Sequence, residues 1–154
     1  MPDHRHLPHL RSYSRQPVIF LTVVTNERRP WLAGRVALDA LTKIWQRSPG
    51  CDGWFVGDFF LMPDHLHLFA QPSAEAKTLA RWVGTWKSIG SRTLAPILGL
   101  NPPLWQRDYF DRFLRSADNY REKRDYVTLN PVRQGLCPTP LDWPWKGRLH
   151  ELHV

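Results

Sequence analysis

Covalent cross-links can contribute little to this chain: its 154 residues include two cysteines, Cys51 and Cys137, far apart and without the paired spacing of a zinc site or a thioredoxin-like motif. They read as two reduced, structural thiols. No apolar run approaches the roughly 18 residues needed to cross a bilayer, and residues 1–15 lack the apolar centre of a signal peptide. A cytoplasmic protein without a membrane partner is expected. A Gly-rich phosphate loop is also missing, which argues against chemistry driven by ATP. Acidic residues are too few to balance the basic ones, with 14 Asp and Glu against 21 Lys and Arg and a formal net charge of +7.

The basic residues that are present spread along the whole chain rather than gathering in a tail. A folded basic surface favours a polyanion, because neutralising phosphates releases condensed counterions. Eight Trp, seven Phe and four Tyr supply material for a core and, where a ring is exposed beside Arg, a platform for unpaired bases. The length suits one domain, 1–154. Residues 1–16, with His4, His6, His9, Pro2 and Pro8, read as an arm, and 137–154, rich in Pro and Trp, as an irregular tail.

Periodicity orders the remainder. Val18 to Thr25 is a run of β-branched and aromatic residues and predicts a buried first strand. Apolar residues at Val36, Ala37, Ala40, Leu41, Ile44 and Trp45 predict a helix over about 35–47, closed by Pro49 and Gly50. Gly53 to Leu61 and His65 to Ala70 predict a hairpin joined by Met62, Pro63 and Asp64. Ser73 is suited to cap a second helix reaching about Leu94, with Leu79, Trp82, Val83, Trp86 and Ile89 on its apolar side. The centre of Leu104 to Arg115 reads as a fourth strand, and Ala117 to Leu129 as a third helix ended by Asn130 and Pro131. This order predicts an α+β, ferredoxin-like βαββαβ fold: a four-stranded antiparallel sheet with two helices on one face and an additional C-terminal helix.

Within the third strand, His65 and His67 lie two residues apart and project from one face, their Cα atoms about 6.5–7 Å apart. Two imidazoles so placed can grip one metal ion, although a pair of surface histidines on a half-exposed strand shows the same pattern. Leu66 and Leu68 point the other way, toward the helices. On the third helix Tyr126 and Asn130 are four residues apart and so share a face, which could deliver a phenol and an amide oxygen together. The same spacing fits a Tyr126 that merely packs on the sheet and an Asn130 that merely ends the helix.

Three segments in order resemble one family: Leu61-Met62-Pro63-Asp64-His65-Leu66-His67, Leu104-Trp105-Gln106-Arg107-Asp108-Tyr109-Phe110-Asp111, and Asp125-Tyr126 through Asn130-Pro131-Val132-Arg133 with Gly135-Leu136. They resemble the REP-associated tyrosine transposases, within the single-tyrosine His-hydrophobe-His transposases of insertion sequences. The likeness runs from Phe20 to the Trp143-Pro144-Trp145 tail. It departs at Lys146-Gly147-Arg148, where relatives often carry small hydroxyl residues, so the tail's DNA contacts do not carry over.

The resemblance implies a metal-dependent enzyme that nicks and rejoins single-stranded or hairpin-forming repeat DNA through a 5′-phosphotyrosine. By position it implies His65, His67 and Asn130 as ligands of Mg2+ or Mn2+ and Tyr126, on the C-terminal helix, as nucleophile. Tyr120 is the nearest rival, six residues earlier and about 120° away around a helix. Lys87 matches the family's basic helix-two position. Arg107, Arg112, Arg115, Arg133, Trp105 and Tyr109 are the remaining candidates for DNA contact. A cytoplasmic, nucleoid-associated location follows from such a substrate, and monomer and homodimer both stay open. A catalytically idle binding module and a phosphodiesterase that uses a metal-bound water are the competing functions.

Overall fold

The β-branched and aromatic run from Val18 to Thr25 forms an interior strand of the sheet, buried on both faces along nearly its whole length. Strand β1 (Val18–Thr25) pairs antiparallel with β3 (His65–Pro72) and with β4 (Trp105–Leu114). A computed structural model describes residues 16–154; nearly all of the expected arm 1–16 lies outside the described residues. In chain order β1 is followed by helix α1 (Arg35–Asp52), strand β2 (Trp54–Leu61), β3, helix α2 (Leu79–Leu98), β4, helix α3 (Ala117–Thr128), the short helix α4 (Asn130–Arg133) and strand β5 (Lys146–Arg148).

The sheet has the order β4-β1-β3-β2-β5. Its first four strands follow the expected βαββαβ connectivity, but the sheet has five strands rather than four. The extra strand comes from the tail expected to be irregular: Lys146, Gly147 and Arg148 pair with Phe60, Phe59 and Asp58 at the β2 edge. Gly147 permits this approach, since a Cβ there would stand 2.8 Å from the Phe59 ring.

Period-two alternation gives the sheet two buried faces. On one, Ile19, Leu21, Val23, Leu66, Leu68 and Ala70 pack against Leu41, Trp45, Trp82, Val83 and Trp86 of α1 and α2. On the other, Val18, Phe20, Phe60 and Phe69 pack against Tyr120 and Val127 of α3. Helix α3 therefore crosses the face that α1 and α2 leave uncovered, the face on which His67 lies.

Two helix boundaries differ from expectation. Helix α1 runs through Pro49 to Asp52 and stops at Gly53, whose left-handed backbone (φ 80°) lets its N–H reach the carbonyls of Ser48 and Pro49. Pro49 forfeits a single N–H in the last turn, which the helix survives. Helix α2 is capped by Thr78, whose hydroxyl accepts from the Arg81 N–H; Ser73 instead joins a turn closed by the bond from Ala76 N–H to its own carbonyl. Both cysteines are free, and Cys51 is exposed rather than structural. Among the described residues no helix is long and apolar enough to cross a membrane.

Candidate active site

The two histidines owe their orientation to neighbours on adjacent strands and in the hairpin turn. Thr22 lies opposite His67 in the β1–β3 register, and its Oγ1 is 2.9 Å from His67 Nδ1. Asp64 Oδ1 is 2.8 Å from His65 Nδ1, and Asp64 is tied in turn to Arg28 at 3.1 Å. Glu27 and Arg28 adopt left-handed backbone (φ 56° and 52°), a costly conformation for residues with a side chain, in the turn that brings Arg28 to Asp64. Burial works against the Asp64 carboxylate, but its bonds to His65 and Arg28 prevail and hold the carboxyl below its ordinary value.

Both imidazoles are thus held at Nδ1, and Nε2 of each is the atom not engaged by these partners. A metal-binding histidine is typically oriented in this way by an outer partner. The rings stand edge to face with centroids 4.8 Å apart, and Phe20 stacks on His67 at 5.1 Å. Burial, followed by the charges of His65 and Lys123, pushes the His67 imidazole down to about 3, so it is neutral, as a metal ligand must be.

The third helix does not deliver Tyr126 and Asn130 on one continuous face, as their spacing led us to expect. Leu129 (φ −86°, ψ −3°) separates α3 from α4; Pro131, expected to stop the chain's helical course, sits in the first turn of α4, where its missing N–H costs little. Asn130 Nδ2 comes to 3.5 Å from His67 Nε2, while its Oδ1 accepts from Arg133 at 3.3 Å. Tyr126 is 60% exposed. The cationic contacts of its ring are the Arg133 guanidinium at 3.8 Å and the Lys123 ammonium at 5.7 Å, and it lines a groove with Arg112, Asn119, Glu122 and Lys123. Lys123 also lies 5.2 Å from the Phe20 ring, so Phe20 and Lys123 form the packed path from His67 to Tyr126. Tyr120 takes another role: it is buried, and its hydroxyl donates to Asp58 Oδ2 at 3.1 Å, away from the imidazoles.

The remaining candidates do not gather at one place. Arg112, opposite Phe20 in the sheet, shares the Tyr126 groove. Arg107 lines a separate groove with Lys87, and Arg115 a third beside Val18 and His153. Lys87 Nζ donates to the carbonyls of Gln106 at 2.8 Å and Arg107 at 3.3 Å, and burial pulls its ammonium below the ordinary value although Asp108 opposes this. Trp105 corrects an expectation: it is 5% exposed and enclosed edge-on by Trp31 and Trp86, so its faces cannot receive a base. Tyr109 is half-buried against the same core. Sequence reasoning passed over Phe110, which is 66% exposed and opposite Thr22; the alternation of β4 with buried Trp105 was the signal. It also passed over Thr22, which only strand register reveals, and over Asp64 and Lys123, whose signals were adjacency to His65 and the three-residue spacing to Tyr126 on one helix.

Among the described residues no group of three or more His, Cys, Asp or Glu could hold one ion, and Asn130 is the neutral-oxygen side chain that stands beside the histidine pair. The donors present fit a metal ion. Nε2 of His67 faces the Asn130 amide through Nδ2 at 3.5 Å, and the amide oxygen has two lone pairs, one taken by Arg133 and one left for a cation. Imidazole with carboxamide and phosphate oxygens suits a divalent ion.

No protein-family model matches the chain. It is 24% identical over 139 residues to a protein named REP-associated tyrosine transposase from Escherichia coli (strain K12), a match covering 88% of this chain and 78% of that protein. It is 24% identical over 96 residues to a Haemophilus influenzae protein given the same family name, covering 56% of this chain and 54% of that one. The fold matches a structure described as a REP-associated tyrosine transposase bound to a REP hairpin, with a TM-score of 0.66, 22% identity and coverage of 95% and 82%. It also matches a crystal structure of a transposase candidate from Deinococcus radiodurans, with a TM-score of 0.56, 19% identity and coverage of 82% and 95%. The resemblance carried by the three sequence segments is thus found again in curated relatives and in solved folds.

Proposed function

We propose that this chain is a metal-dependent strand-transfer enzyme that nicks and rejoins single-stranded, hairpin-forming repeat DNA with Tyr126 as nucleophile, its site acting in the nucleoid. The observation that carries this reading is the pair of imidazoles held at Nδ1 by Thr22 and Asp64, with Nε2 of His67 3.5 Å from the Asn130 amide nitrogen at the junction of α3 and α4. The curated relatives and the hairpin-bound structure support the same substrate class.

In this mechanism His65, His67 and Asn130 hold Mg2+ or Mn2+, which when bound polarises the scissile phosphate and offsets charge on its oxygens. The Tyr126 phenol oxygen attacks phosphorus in line, forming an O–P bond as the bond to the 3′ oxygen breaks. The phenolic proton passes to solvent and the 3′ oxygen leaves as a hydroxyl. The product is a 5′-phosphotyrosine and a free 3′ end, and attack by a DNA hydroxyl reverses the step, so no ATP is consumed. Lys123 and Arg133 flank the ring with positive charge, which draws the DNA phosphate toward the phenol. Arg112 meets the strand in the groove that Tyr126 lines, and Arg107, Arg115 and the N–H of Lys87 not used on β4 hold more distant phosphates.

A 3′-labelled single-stranded oligonucleotide carrying a hairpin and an unpaired flank tests this with Mg2+ or Mn2+. The wild type should yield a labelled protein adduct on a denaturing gel, and Tyr126→Phe should bind the same DNA but form none. Cleavage that survives in Tyr126→Phe would assign attack to water, and a wild type that binds without forming an adduct would reduce the chain to a binding module.

A further inference from the structure

The break at Leu129 means that backbone hydrogen bonding does not lock Tyr126 and Asn130 together, although the chemistry needs both at one phosphate. One side chain spans the break. The face of the Arg133 guanidinium lies 3.8 Å from the Tyr126 ring centroid. Its terminal nitrogen Nη2 donates to the Tyr126 carbonyl at 2.7 Å and to Asn130 Oδ1 at 3.3 Å. Arg133 itself is the last residue of α4 and lies on the surface.

We propose that Arg133 is a positioning residue for strand transfer: it clasps the ring of the nucleophile and the amide of Asn130 as one unit across the α3–α4 junction. The inference rests on the reading of Tyr126 as nucleophile and Asn130 as ligand. It differs from the expectation that Arg133 binds a DNA phosphate, because the contacts it makes are turned inward to the protein.

The chemistry of the guanidinium suits this task. Its flat face stacks on an aromatic ring while its edge presents donors in a fixed fork, so one group can limit rotation of the phenol and aim a carboxamide at the same time. Asn130 in turn stands 3.5 Å from His67 Nε2, which continues the connection to the histidine pair. A lysine at this position keeps the charge but has neither the flat face nor the fork. Loosening the clasp lets the phenol and the ligand sample separate arrangements, and a misplacement of about 1 Å costs on the order of 100-fold in rate.

The test compares Arg133→Lys, Arg133→Met and Tyr126→Phe with the wild type, using the same 3′-labelled hairpin oligonucleotide and Mn2+. Single-turnover adduct formation is measured at saturating protein, binding by fluorescence anisotropy across a salt series, and folding by thermal unfolding. Both Arg133 variants should unfold like the wild type and bind within about threefold of it with the same salt slope, while the saturated rate falls on the order of 10- to 100-fold. A saturated rate in Arg133→Lys equal to the wild type would overturn the clasp. So would an unchanged saturated rate in both variants with the salt slope reduced by about one, the signature of a lost phosphate contact. If the wild type forms no adduct, or Tyr126→Phe forms one, the reading of Tyr126 has failed and the clasp falls with it. If only Arg133→Lys reacts normally, that reading stands and the clasp alone has failed.

Discussion

Thr22 Oγ1 lies 2.9 Å from Nδ1 of His67, a contact made across two strands rather than along one. It exists because β1 and β3 pair with Thr22 directly opposite His67, so that both side chains leave the same face of the sheet. Phe20, two residues before Thr22, stacks on the imidazole. One strand therefore holds both the Nδ1 edge and the plane of an imidazole on its neighbour.

Thr22→Val removes the hydroxyl at similar volume and should leave the fold intact while freeing His67 to rotate. Loss of an outer partner of this kind typically weakens metal affinity about 10- to 100-fold. Titration with Mn2+, following free ion by electron paramagnetic resonance, measures it. Wild-type affinity in this variant would show that Thr22 does not govern the ligand.

Asp58 accepts from the Tyr120 hydroxyl of α3 at 3.1 Å and from Arg148 of β5 at 3.0 and 3.2 Å. One carboxylate thus fastens both the helix that carries Tyr126 and the added edge strand. Tyr120→Phe should cost about 1.5–3 kcal/mol, the range for a hydrogen bond to a charged group. Arg148→Gln and the double variant complete a cycle, in which the two losses should not add because they share the acceptor. Urea unfolding reads each, and strict additivity would separate the two contacts.

The same carboxylate makes stability depend on alkaline pH. Burial, then the charge of Asp58 and the bond to it, pushes the Tyr120 hydroxyl up to about 12, whereas an unfolded tyrosine ionises near 10. Between these values the unfolded chain loses its proton while the folded chain keeps it, so the contribution is complete below about 10 and is lost as pH rises toward 12. Tyr120→Phe should flatten the wild-type decline across that window, as followed by circular dichroism during base titration. Parallel declines in the two proteins would remove Tyr120 as the cause.

Much of this was legible in the chain, and the illegible parts share a reason. The hairpin His65 belongs to, the core faces of α1 and α2 and the burial of Leu66 and Leu68 follow from periods of two and 3.6 residues. Strand β5 does not, because Lys-Gly-Arg has no apolar alternation and becomes a strand only where the β2 edge offers it partners. The break at Leu129 was hidden by Pro131, which reads as a stop but is tolerated in a first helical turn. Thr22 was hidden because register between strands distant in sequence is a property of the sheet.

Strand β4 supplies the clearest contrast among its aromatics. Trp105 and Phe110 are each followed by a polar or charged residue, Gln106 and Asp111, and sequence alone favoured Trp105 as a surface for bases. Alternation sends Trp105 into the core, where Trp31 and Trp86 stand at 5.1 and 5.5 Å, and leaves Phe110 66% exposed on the face of Thr22. Trp105→Ala should therefore cost about 3–5 kcal/mol of stability as a cavity opens. Phe110→Ala should unfold like the wild type but bind the unpaired flank of a hairpin oligonucleotide more weakly, by about 1–3 kcal/mol if one base stacks on it. Anisotropy against a blunt hairpin and a flanked one separates stacking from backbone contact, since only the flanked substrate should lose affinity. Equal losses on both would place the ring against duplex backbone, and no loss on either would exclude Phe110 from the interface.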